Sequence, residues 1–157
     1  MTPIQRTAMK TEDLEPTILH LRDTLIETID LTLQAKQAHW NVTGPRFRAM
    51  HLQLDDIVRH LREYSDTVAE RIVTLGEPAT GLAKQVAQQS KVDPFPTAFV
   101  PDEELVELLI DRLSGFCARL RGRISATEGR DPVTVDLLTR MLATFEEQMW
   151  MFHAQTQ

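Results

Sequence analysis

The chain has 157 residues, 42% of them hydrophobic and 25% charged, which is the size and composition of one domain with its own core and without long disorder. A net charge of −6, from 23 acidic against 17 basic residues, disfavours a phosphate-binding surface on the folded body and suits cations. The single cysteine excludes an intrachain disulfide and predicts a reducing, cytoplasmic setting; no apolar run approaches the ~18 residues of a membrane span, and the first ten residues lack the apolar stretch of a secretory signal.

Residues 1–15 read as a flexible tail. Pro16, favoured in a first helical turn, opens a predicted helix over 16–41 with the apolar stripe Ile18, Leu21, Leu25, Ile29 and Leu33. "NVTGP" ends it, with Gly44 as the left-handed stop and Pro45 beyond. A second helix is predicted over 45–75, with Phe47, Met50, Leu54, Ile57, Val58, Leu61, Val68 and Ile72 on its core side and Gly76 and Pro78 closing it. Residues 77–101 carry Gly81, Pro94, Pro96 and Pro101 and read as a long connection with a short helix near 82–89. A third long helix begins at "PDEELVELL", where Asp102, Glu103 and Glu104 lie at the positive end of the helix dipole, and runs to about residue 128. After Gly129 a fourth begins at "DPVTVDLL", with Asp131 as N-cap and Pro132 in the first turn. No stretch alternates as a strand does. Residues 1–157 therefore read as one all-α domain, a four-helix bundle with a long crossover between the second and third long helices, which would then run parallel.

The second helix also carries His51, Asp55, Asp66 and Glu70, at steps of 4, 11 and 4. Eleven residues make three turns plus about 20°, so all four lie near one stripe. Imidazole and carboxylate one turn apart suit Fe(II), Zn(II) or Mn(II). The two pairs cannot hold one ion within a chain, because their midpoints are roughly 22 Å apart along the axis. Either the stripe is an ordinary solvated face, or two such helices run antiparallel across a two-fold axis and set His51 and Asp55 of one chain against Asp66 and Glu70 of the other. His39, at the end of the first helix, would be folded back by the "NVTGP" turn toward His51. An isolated His-x-x-x-Asp on a helix is ordinarily surface; five ligand-type residues at spacings that a dimer unites favour a metal site.

The same residues carry a family resemblance. "AHWNVTGPRFRAMHLQLDD" followed by "SDTVAER" resembles the Dps mini-ferritins, DNA-protecting proteins of starved cells, over about residues 16–155. The resemblance implies a ferritin-like bundle, twelve subunits in a hollow shell, and iron sites at two-fold dimer interfaces. It implies oxidation of Fe(II), with hydrogen peroxide as the favoured oxidant, and storage of ferric oxide. His39, His51, Asp55, Asp66 and Glu70 map onto the family's ferroxidase ligands. Asp131 and Asp136 match acidic residues of its three-fold iron-entry pores, although Asp131 also reads as an N-cap alone. Trp40 is a candidate radical trap beside the iron, with core packing as the plainer alternative, and the role of Lys36 is open. Cys117, among Leu113, Phe116 and Leu120, reads as a buried structural thiol.

One departure bears on DNA. Arg6 and Lys10 are the only basic residues among the first fifteen, set against Glu12, Asp13 and Glu15, and "HAQTQ" at the other end has no Lys or Arg. A DNA-compacting assembly with secondary iron chemistry is thus the rival to an iron-oxidising store, and the tails favour the store. Zn(II) or Mn(II) bound without redox is a third reading that the ligand types also allow.

Overall fold

The computed structural model describes residues 9–156. Five helices follow in chain order: α1 (Thr11–Asn41), α2 (Phe47–Thr74), α3 (Ala83–Gln89), α4 (Asp102–Thr127) and α5 (Pro132–His153). α1 packs on α2 and α4 on α5, giving two hairpins with α3 inside the crossover that joins them. Side-chain pairs give the directions. Arg123 meets Glu27 across α4 and α1, and Arg130, just past α4, meets Asp13, so α1 and α4 are antiparallel. α2 is antiparallel to α1, its hairpin partner, and hence parallel to α4, as a long crossover allows.

Phe47 aside, the predicted core stripe of α2 is buried, and α4 and α5 each bury an apolar stripe against it. Met50, Leu54, Ile57, Leu61, Ile72, Leu105, Phe116, Leu120, Leu138, Met141, Phe145 and Phe152 are all essentially inaccessible. Phe116 meets Phe145 edge-on at 5.6 Å, a favoured arrangement of aromatic quadrupoles. Cys117 is buried as expected, and burial pushes its thiol up to about 11.

Four expectations are corrected. α1 begins at Thr11, ahead of Pro16. Pro16 removes one helical hydrogen bond near the helix start, but Leu14 packs on the core and Asp13 pairs with Arg130, which tie the added turn to the bundle. The tail expected over 1–15 therefore includes helix from Thr11; residues 1–8 lie outside the described residues. Second, Leu33 is 60% exposed, while Leu31, Ala35 and Ala38 are buried. Successive steps of four advance about 40° each, so a stripe read from Leu21 to Leu33 winds off the core face. Third, Phe47 is 45% exposed and lies against the His51 ring instead of in the core. Fourth, two short strands exist: β1 (Val42–Thr43) pairs in parallel with β2 (Val100–Pro101), Val42 opposite Val100. Two residues are too few to show alternation. Gly44, with φ 118°, consequently stands in the turn after β1, and α1 itself ends into extended backbone at Val42.

Candidate metal centre

His39 sits in the last turn of α1 and His51 near the start of α2, on either side of the bend over residues 42–46. The bend stacks the two imidazoles, with centroids 3.6 Å apart and planes inclined by 26°. Their backbones hold them reciprocally: His39 Nδ1 is 3.0 Å from the His51 carbonyl oxygen, and His51 Nδ1 is 3.1 Å from that of His39. A carbonyl oxygen only accepts, so each Nδ1 carries a hydrogen, and the tautomer with its lone pair on Nε2 is the neutral form that fits these contacts. The His39 carbonyl belongs to the last turn of α1 and has no helical donor; the His51 ring supplies one.

Asp55, one turn after His51, completes the group. Its Oδ1 lies 3.3 Å from His39 Nδ1, and ligand-type atoms of His39, His51 and Asp55 all fall within 4.8 Å of one another. His39 is buried, His51 half-buried and Asp55 exposed, so the group opens to the surface. Lys36 Nζ donates to Asp55 Oδ1 at 3.0 Å, and this hydrogen bond, more than the nearby histidines, holds the carboxyl below the usual carboxylate range. Spacing left Lys36 without a role, although it stands one turn before His39 and so on the same face. Phe47 was assigned to the core, yet its ring lies 5.2 Å from that of His51.

Asp66 and Glu70 are not part of this group. Both are exposed on α2, with Asp66 about 16 Å further along the axis from Asp55. One chain thus presents the five expected ligands as three together and two apart. Trp40 does not pack in the chain's own core: it is 65% exposed. Together with Leu33, Lys36 and Arg62 it lines a groove of about 800 Å³, closed on the far side by crossover residues that include Val86 and Phe95.

Asp131 and Asp136 differ sharply. Asp131 is 4% exposed and caps α5 by accepting from the Thr134 backbone N–H, as expected. It also accepts from Arg71 Nη2 at 2.7 Å. Burial pushes its carboxyl up, but hydrogen bonds from Thr134 and Arg71 outweigh this and hold it below the usual range. Within one chain its charge is paired and enclosed, which supports the capping role over the pore role. Asp136 is exposed and, among the described residues, pairs with Arg140 one turn on, at 2.8 Å.

Known proteins carry the same arrangement of elements. A ferritin-like domain model matches residues 18–157. A DNA protection during starvation protein of Agrobacterium fabrum is 35% identical over 138 residues, covering 87% of this chain and 85% of the relative. Among solved structures, the Dps of Mycobacterium smegmatis superposes with a TM-score of 0.93 at 28% identity, covering 99% of this chain and 94% of that one. A Dps from Microbacterium arborescens, solved in a high iron form, gives 0.90 at 26% identity, with 97% and 99% covered.

Proposed function

We propose, for a chain that belongs to the Dps family of ferritin-like proteins, that it is a ferroxidase and iron store protecting a cell against oxidative damage. It oxidises Fe(II), preferably with hydrogen peroxide, at sites shared between two subunits, and keeps the ferric product inside a shell of twelve. The observation that carries this reading is the group of His39, His51 and Asp55, with Asp66 and Glu70 on the same helix but out of its reach. A half-site of two imidazoles and a carboxylate becomes a full set when a second α2 runs antiparallel across a two-fold axis. The groove beside it, with Leu33 60% and Trp40 65% exposed, supplies apolar surface for that second copy.

The residues divide the work. His39 and His51 offer Nε2 lone pairs, and Asp55, Asp66 and Glu70 offer oxygens, a donor set suited to a first-row divalent metal. Lys36 neutralises Asp55 until a cation takes its place. Two Fe(II) each give up one electron, and one peroxide accepts both as its O–O bond breaks. The oxygens pass into water and ferric hydroxide. Trp40, exposed next to His39, is assigned to intercept stray radicals. Asp136 is assigned to a three-fold entry for Fe(II). The reading places the protein in the cytoplasm, in keeping with a free thiol and with no helix among the described residues long and apolar enough to cross a membrane.

The test is anaerobic loading with Fe(II) followed by peroxide, watching ferric absorbance and counting iron per subunit. Rapid ferric absorbance with retained iron is expected. Iron that binds without being oxidised would instead support a non-redox metal site.

A further inference from the structure

We infer that Asp102, 56 residues along the chain from Arg46, is a positioning residue for the stacked histidines. The inference rests on the proposed site for the identity of the ligands and on the geometry of the bend for the rest. His39 and His51 lie on opposite sides of residues 42–46, so their stack depends on how that bend is held. No side chain of α2's own segment caps its start. Asp102 does so from another element: its Oδ2 accepts the Arg46 backbone N–H at 2.7 Å and pairs with Arg46 Nε at 3.3 Å. The carboxylate also packs against Gly44, where an added Cβ would fall 2.8 Å from its Cγ and 2.9 Å from its oxygens. Asp102 is 3% exposed, so these contacts exclude water. The β1–β2 pair brings Asp102 to the bend, and Arg46 Nη1 reaches on to the Gln155 carbonyl oxygen at 2.9 Å, tying in the end of α5. The N–H of Arg46 holds the Asp102 carboxyl below the usual range, so the acceptor is charged at neutral pH. The first metal ligands in the chain are thus aligned by a residue that touches neither of them.

Co(II) titrated into the assembled full-length protein, followed by its visible absorption, reads the site without turnover. Asp102→Ala should weaken Co(II) binding roughly 10- to 100-fold, the range for residues that orient metal ligands. Asp102→Asn keeps an acceptor oxygen of the same shape beside Gly44 and should restore binding close to wild type. Leu138→Ala, a core change far from the bend, should lower thermal stability without moving Co(II) affinity. Should Asp102→Ala not fold, Asp102→Glu carries the same expectation, because its longer side chain pushes the carboxylate toward Gly44. Wild-type Co(II) affinity in Asp102→Ala or Asp102→Glu, or Asp102→Asn as weak as alanine, overturns the inference. A wild type that binds Co(II) but does not oxidise Fe(II) overturns the ferroxidase reading and leaves this one standing.

Discussion

The Asp131 carboxylate caps α5 and neutralises Arg71, and the pairing with Arg71 needs the charged form. Its folded-state pKa is depressed, so the stability it contributes is present above the ordinary carboxyl value of about 3.9 and is lost as pH falls through the lower folded value. Urea midpoints from neutral down to about pH 3 should therefore fall on the acid side, and fall less steeply in Asp131→Asn. Asparagine still caps, so that variant should fold. Iron entry separates the two aspartates. Asp136→Asn should slow initial Fe(II) oxidation at limiting iron, most at low ionic strength, while Asp131→Asn should not. Equal rates for Asp136→Asn and wild type in shells of normal size would remove Asp136 from the entry path. At this scale the sequence was most legible where chemistry and spacing coincide. His39, His51 and Asp55 are separated by one bend and one helical turn, so period and turn chemistry bring them together. Lys36 lies on the same face, but a lysine one turn from a histidine has many ordinary uses. Asp102 reads only as a helix-start acid, because its partner Arg46 is distant in the chain.

Glu27 joins the two hairpins. It is 1% exposed, with Arg123 at 2.9 Å and Arg119 at 3.0 Å from its carboxylate, and Arg123 also donates to Thr24 Oγ1 at 3.2 Å. Removing the acid that these two arginines share, one of them buried, should cost about 3–5 kcal/mol in Glu27→Ala. Thermal unfolding checks it: a chain of this size loses roughly 2–4 °C per kcal/mol. A loss of only a degree or two would show that water replaces the carboxylate. The starts of α4 and α5 were legible because "PDEE" and "DP" place acids and proline where helix N-termini want them. The start of α1 was not, because a proline inside its second turn outweighs any local signal for the turn before it. The β1–β2 pair was invisible for a related reason: its stability comes from joining segments that only the finished bundle brings together.

At the scale of the molecule the division of the proposed ligands along α2 makes a sharp forecast. His51→Ala/Asp55→Ala subunits and Asp66→Ala/Glu70→Ala subunits should each be inactive alone. When mixed in equal parts and reassembled, half the positions supply an intact first half and half an intact second half, so about a quarter of the sites recover. Mixed shells as inactive as either parent would end the shared-site reading. The whole chain carries −6, so at physiological salt the protein should barely shift duplex DNA, with a shallow salt dependence. A robust shift at that salt, lost on deleting residues 1–10, would restore DNA binding as a main activity and show the first segment to be its source.

The buried thiol of Cys117 bears on how long such a protein lasts. Peroxide attacks thiolate, not thiol. With a pKa pushed to about 11, only about one Cys117 in ten thousand is ionised at neutral pH, and its sulfur is enclosed besides. The chain's sole thiol is therefore kept out of reach of the oxidant that the proposed reaction consumes. Through repeated turnover no sulfenic acid should form to cross-link subunits, and no sulfinic acid should accumulate in the core. Intact mass measured after many cycles of Fe(II) and peroxide should show Cys117 unmodified, whereas oxygen additions on the peptide containing it would mean that the core opens during turnover.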